Sequence, residues 1–381
     1  MEMNKVSIGF MGDFCPMARV EKQFETGDWK PLFDEVRPFF LKNDLNIIDL
    51  ECPLTNHTQT IVKTGPHIKS KPETAEILSY LNCKLVVTAN NHFKDYQWVG
   101  MQDSYTALKK HNIDWCGSGA SIDEASQTKF IQINDMSFAI INMAENEWTT
   151  THNDDPGCNP IDYPRSLLKI QEAKDKNTNF IIVILHGGHE HYPLPSPRMK
   201  AQFRFMIDAG ADAVVGHHTH IISGYEVYKN KPIIYSLGNF SFDWPGLRNG
   251  TWNKGMLLRL VFDKTGEISF EYQFVHQNDE HVGVKRLSQE ELMVQESEIQ
   301  RLNSIIADDI QLQKSFEDYA ESIKPIMQSR IQPYRNKYLV ALHKRGLLPD
   351  LMGISKKKMI KILAQCESHR EVLLHSLKKF D

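Results

Sequence analysis

The 381-residue sequence has little that would mark a secreted, membrane-spanning or nucleic-acid-binding chain. Its six cysteines, Cys15, Cys52, Cys83, Cys116, Cys158 and Cys366, are scattered and form no C-x-x-C pair. That spacing excludes a zinc knuckle and a compact disulfide framework. No segment approaches the roughly 18 consecutive apolar residues a membrane helix requires, so no integral membrane segment is expected. The opening MEMNKVSIGFMGDF has too short an apolar run for a secretory signal and lacks a cleavage pattern, so the expected location is cytoplasmic. Charge of neither sign dominates. Forty-four Lys and Arg face 48 Asp and Glu, a net of −4, which gives no general pull toward nucleic acid or anionic lipid. No internal repeat or low-complexity tract stands out.

What the sequence does have is alternation. Across the first ~280 residues, short apolar runs with strand character alternate with helical stretches, which predicts an α/β fold. The runs are KVSIGFMGD, LNIIDLECPLT, CKLVVTANNH, NFIIVILHGGHE, ADAVVGHHTH and KPIIYSLGNFSFD. From about residue 285 the pattern becomes long, charged and helical. The expected organisation is therefore an α/β domain over 1–284 and a helical C-terminal region over 285–381.

The polar chemistry falls where the strands end. Asp13 follows the first run, Glu51 the second, Asn91 and His92 the third, His186 the fourth, and the cluster His217–His220 the fifth. In open α/β sheets, sites form outside the carboxyl ends of strands. Residues i and i+2 of an extended segment share a side. His218 and His220 are thus expected to face one point, with His217 facing away in a supporting or structural role, and Asp49 and Glu51 share a face. Imidazole with carboxylate suits manganese, iron, zinc or nickel, and an asparagine amide oxygen is tolerable. Two such ions ~3.5–4 Å apart need a carboxylate between them, and together they can clamp a phosphoryl group and activate a water. Asn90 is expected to hold its loop. Glu190 is expected either behind a metal-bound histidine or on the surface, and Asn239 in the turn after its strand, where it can also stand behind the ligands.

Six motifs carry a resemblance: MGDF, DLECPLT, TANNHFKDY, LHGGHEHYPLPSP, GHHTH and YSLGNFSFD, in that order over roughly residues 5–280. Together they resemble the CapA family, named for poly-γ-glutamate capsule synthesis, within the calcineurin-like metallophosphoesterase superfamily. The resemblance implies a four-layer α/β/β/α sandwich with a C-terminal helical appendage, and two divalent metal ions (manganese, iron or zinc) at the sheet ends. It implies that Asp13 and His220 hold one ion, that Asn91, His186 and His218 hold the other, and that Glu51 bridges. It also implies that His92 is the catalytic acid. Two positions depart from the superfamily. Its first motif carries GDxH, whereas Cys15 stands here in the histidine's place, either as a ligand or as a core thiol. Asp49 replaces a common asparagine.

The implied function is phosphoester hydrolysis by a metal-activated water, linked to capsule or surface-polymer metabolism. The implied substrate is a phosphorylated small molecule or polymer precursor. The alternatives are a non-catalytic accessory subunit of a capsule or polyglutamate synthesis complex, and hydrolysis or transfer at the amide bond of a polyglutamate-like polymer. Capsule-synthesis proteins or a second copy of the chain are the implied partners. Specificity is expected from the loops at roughly 52–72, 144–165 and 190–200.

Overall fold

The computed structural model describes residues 5–334, 336–365, 369, 372 and 373. Cys366 lies outside them. The strands β1 (Lys5–Cys15), β2 (Leu45–Leu50), β3 (Leu85–Val87) and β4 (Asp114–Cys116) run parallel to one another. Next come β5 (Ser118–Gly119), the hairpin of β6 (Lys129–Ile133) and β7 (Met136–Ala144), and β8 (Gly157–Cys158), which pairs with β5. A second sheet grows from β9 (Phe180–His186), β10 (Ala213–His217), β11 (Tyr225–Tyr228) and β12 (Lys231–Ile234), in the order β11-β12-β10-β9-β7-β6. β13 (Asn239–Phe242) returns to pair with β1. β14 (Lys254–Asp263), β15 (Ile268–Gln277) and β16 (Val284–Arg286) extend the first sheet to β16-β15-β14-β1-β2-β3-β4.

The two sheets pack face to face. Phe262 on β14 meets Phe138 on β7 and Phe180 on β9, with ring centroids 5.1 and 4.9 Å apart. Helices cover the outer faces. Phe33, Phe40, Leu78, Met101 and Leu108 bury against Met11, Phe14, Ile48 and Leu50 of the first sheet. On the second sheet, Phe203 of the helix Pro197–Ala209 stacks on Tyr235 at 5.3 Å. The result is helix, sheet, sheet, helix. Covering both faces explains why LNIIDL and FIIVILH are buried at every position and read as unbroken apolar runs. By contrast, β15 alternates between covered and open residues over its first half.

The chain forms two compact units, Met1–Leu312 and Gln313–Asp381. The compositional change near residue 285 and this division do not coincide. The helix Gln289–Ala307 belongs to the first unit because it packs beside β11, where Asn303 Oδ1 accepts from the Tyr225 amide at 2.7 Å. The second unit contains the helices Lys337–Lys344 and Ile354–Gln365. Among the described residues, no helix is long and apolar enough to cross a membrane.

Candidate metal centre

Parallel register sets the ends of the strands side by side. Asp13 pairs with Asp49 across β1 and β2, and with Asn239 across β1 and β13. His186 pairs with His217 across β9 and β10. Two glycines permit the close approaches. A Cβ on Gly12 would collide with the Gly238 carbonyl, and one on Gly216 with the Tyr235 carbonyl. Past β10 the chain turns through positive φ at His218 (94°) and His220 (59°). Non-glycine residues reach that region only where surrounding contacts hold them, a pattern common at functional sites.

Asp13, Glu51, Asn91, His186, His218 and His220 are all buried and converge. Their ligand atoms fall into sets. Glu51, His186 and His218 form one. Asp13, Glu51 and His220 form a second. Asp13, Asp49 and His186 form a third. Within each set the atoms lie within 4.8 Å of one another. Glu51 is common to the first two.

The hydrogen-bonding pattern tests whether a cation fits. Asp49 Oδ2 lies 2.6 Å from His186 Nδ1, which fixes that ring's proton on Nδ1 and leaves Nε2 as a lone pair. That nitrogen faces Asn91 Oδ1 at 3.0 Å, His218 Nδ1 at 3.1 Å and Glu51 Oε1 at 3.7 Å. On the other side, His220 Nδ1 lies 3.0 Å from Asn239 Oδ1 and 3.3 Å from Asp13 Oδ2. This turns its Nε2 toward Glu51 Oε1 at 3.6 Å. Both oxygens of Glu51 are buried without a hydrogen-bond partner. Buried acceptors clustered without donors are costly unless a cation sits among them. The donor set of imidazole, carboxylate and amide oxygen suits a divalent transition metal, so the residues present fit divalent metal binding.

Local fields follow from this crowding. Burial pushes Glu51 well above the ordinary carboxylate range, and Asp13, Asp49 and Glu190 push the same way. Burial also raises Asp13, but hydrogen bonds from His217 and His220 outweigh it and hold Asp13 below its ordinary value. Burial carries His218 well below the ordinary imidazole value, with His186 and His220 adding to the shift. At His217 and His220, burial pulls down while the bond to Asp13 prevails and raises both.

The supporting residues divide clearly. Asn90 accepts from the amides of His92 and Phe93 and donates to Asp49 Oδ1 and the Leu50 carbonyl, so it ties its own loop to β2. Asp49, beyond orienting His186, sits in one of the three ligand sets. Asn239 grips His220 at both its ring and its carbonyl and also reaches the Trp252 carbonyl. Glu190 is exposed, and its charge raises Glu51 and His220.

One expectation is corrected, and the choice left open at Cys15 falls to the core thiol. His217 does not face away, because its Nδ1 lies 2.9 Å from Asp13 Oδ1 and orients that carboxylate. Cys15 points elsewhere. It is fully buried with Cys52, Ile68, Phe242 and Trp252, and no ligand set among the described residues contains it. Burial and the neighbouring Cys52 push its thiol well up, away from the thiolate a metal requires. A register irregularity between Asp13 and Phe14 turns the strand so that i and i+2 no longer share a side.

His92 is buried at the same rim, and its Nδ1 lies 2.7 Å from Asp95 Oδ2. Burial lowers His92 against the opposing pull of Asp95. Asp95 also accepts from Lys63 and from the Ile68 amide, and Lys63 Nζ lies 3.2 Å from His92 Nδ1. The sequence offered a signal for Asp95 in its i+3 spacing from His92. It offered none for Glu147, whose Oε1 lies 3.8 Å from His218 Nε2. Arg198 pairs with Glu145, and Arg204 with Glu226.

Sequence comparisons point to one family. The sequence model described as "Bacterial capsule synthesis protein PGA_cap" matches residues 7–244. The "PGA biosynthesis protein CapA" of Bacillus subtilis (strain 168) is 31% identical over 274 residues, spanning 70% of each chain. The "Capsule biosynthesis protein CapA" of Bacillus anthracis is 28% identical over 250 residues, spanning 64% of this chain and 61% of that one. Among solved structures, the NAD nucleotidase of Haemophilus influenzae aligns with a TM-score of 0.40 at 13% identity, over 83% of this chain and 60% of that one.

Proposed function

The chain belongs to the PGA_cap family of bacterial capsule synthesis proteins, and we propose that it is a metal-dependent hydrolase of phosphoester bonds in capsule or surface-polymer metabolism. One observation carries the reading: two converging sets of buried acceptors share Glu51, and neither Glu51 oxygen has a donor. Asp13 and His220 would hold one ion, Asn91, His186 and His218 the other, and Glu51 would lie between. Divalent ions bound there supply an activated water and a clamp for the oxygens of the scissile group.

The remaining work falls to this chain's own residues. His217 and Asn239 orient Asp13 and His220, and Asp49 orients His186. Buried carboxylate–histidine pairs of this kind fix ring tautomer and direction. His92 engages Asp95 through Nδ1, which leaves Nε2 to face the leaving oxygen; it would act there as the acid in its imidazolium form, which Asp95 favours and burial opposes. Lys63 neutralises Asp95 and holds the 60–70 loop against the same pair.

A second reading, amide-bond hydrolysis in a glutamate polymer, is favoured by one feature. Glu147 and Glu190 place carboxylates beside the cluster, which oppose a phosphomonoester dianion but not a neutral amide. The test loads purified protein with manganese or zinc and offers an aryl phosphate and a γ-glutamyl anilide. We expect aryl phosphate turnover that falls about 10²–10⁴-fold in His92→Ala with metal content unchanged. Full activity in His92→Ala removes its role as the acid. Turnover of the anilide alone selects the second reading. No turnover of either by metal-loaded protein leaves an accessory role.

A further inference from the structure

We infer that a second recognition element adjoins the metal centre: a subsite for an anionic oxygen group, carboxylate or phosphate, carried by the substrate some bonds from the one that is cut. It rests on the hydrolase reading above and names the chemistry its substrate must display. A cavity of about 280 Å³ is lined by His191, Ile221, Ile222, Lys254, Gln295 and Glu298, with Pro193 and Thr251 at its edges.

Its polar groups are underused. Lys254, at the start of β14, has no carboxylate within 4.0 Å among the described residues. Among the described residues its ammonium has one hydrogen-bond contact, the Gln295 Oε1 atom at 3.4 Å. That contact is at the outer limit of a hydrogen bond and leaves most of its donor capacity for a guest. Gln295 is itself largely buried and lines the same cavity. The one acid in the lining is Glu298, which pairs with Arg301, whose Nη2 and Nε lie 2.7 and 2.8 Å from the two carboxylate oxygens, while the Lys254 charge acts on it more weakly from beyond ion-pair distance. Ile221 and Ile222 supply an apolar wall for a short aliphatic stem. A concave, mostly apolar site with a few convergent polar groups is the usual form of a ligand pocket.

His191 connects this cavity to the cluster. Its backbone sits at φ 62°, a conformation costly for histidine. Its amide donates to the Thr219 carbonyl at 2.9 Å, between the two histidines of the cluster. The ring lies 5.6 Å from Trp252 and 6.5 Å from His220. A substrate spanning this ring would place its reacting group at the cluster and its anion on Lys254. The acidic side of the cluster, at Glu147, would exclude the reverse orientation.

Ligand-observed NMR on the full chain tests this with N-acetylglutamate α-amide and N-acetylglutamine α-amide, which differ by one charge. Measurements in chelator isolate the subsite from the metals, and a parallel set uses metal-loaded protein. We expect the carboxylate probe to bind more tightly than the carboxamide, Lys254→Met to weaken it about tenfold, and Lys254→Arg to retain it within about threefold. The carboxamide should not distinguish the three proteins. Inorganic phosphate that competes in a Lys254-dependent way assigns the site to either anion, and phosphate that fails to compete assigns it to carboxylates. Equal binding of the two probes, or unchanged affinity in Lys254→Met, overturns the subsite. The turnover assays above are read separately, so either idea can fail alone.

Discussion

Replacing Glu51 by glutamine should stabilise the chelated protein and weaken the metal-loaded one. The carboxylate is buried, both of its oxygens lack donors, and Asp13 and Asp49 crowd it. Holding an uncompensated ionised carboxylate in such a place costs several kcal/mol. Glutamine keeps the shape and removes the charge, although its amide still lacks partners at a cost of about 1–3 kcal/mol. The expected net gain in chelator is therefore about 1–3 kcal/mol. At about 2–4 °C per kcal/mol for a unit of this size, Tm rises by roughly 2–12 °C. With metal the sign reverses. A site held at 100 times its Kd contributes about 2.7 kcal/mol, and both ligand sets use Glu51. Glu51→Gln should lose most of that contribution. Melting curves of both proteins, with EDTA and with manganese, check the reversal. A variant that melts below the parent in EDTA, or that gains the same shift from metal, refutes the argument that Glu51 is an acceptor kept for a cation.

Further predictions rest on neighbouring residues. In chelator, Glu51 should also set a pH trend. Its folded pKa is raised, so its stabilisation is fully present below its ordinary value of 4.5 and is lost as pH rises through the raised value. Denaturant titrations between pH 5 and 8 should show a falling trend for the parent and a flatter one for Glu51→Gln. Asp13, held below its ordinary 3.8, contributes with the opposite sign. Its share is present above 3.8 and disappears as pH falls below that, so acid unfolding should begin later in a parent freed of metal than in Asp13→Asn. Cys15→Ser should leave the bound-metal stoichiometry unchanged while costing about 1–3 kcal/mol for a hydroxyl among Phe242 and Trp252. Loss of one metal equivalent would return Cys15 to the site. Asn239→Ala frees the His220 ring and should weaken metal affinity about 10–100-fold by calorimetric titration, with His92 and its pairing to Asp95 untouched.

The sequence by itself determined what ends at each strand. Unbroken apolar runs such as FIIVILH mark strands covered on both faces, and the residue after each run must lie at the sheet rim. That local fact put Asp13, Glu51, Asn91, His92, His186 and the His217–His220 cluster at one rim, the family resemblance singled out Asp13, Glu51, Asn91, His186, His218 and His220 as ligands, and the structure brings those six together. Asn90 as the holder of its loop was equally legible, because an asparagine in a tight turn finds nearby amides.

Tertiary structure decided the rest, and the reason is geometric. Alternation along a strand holds only while the strand stays regular. The irregularity after Asp13 turned Cys15 into the core beside Cys52, and the positive φ at His218 left His217 facing Asp13. The partners that tune the site come from distant loops. Lys63 reaches Asp95 from 32 positions away, Asp49 meets His186 from 137, and Lys254 meets Gln295 from 41. No spacing rule covers such pairs, because chain folding rather than local periodicity sets their separation.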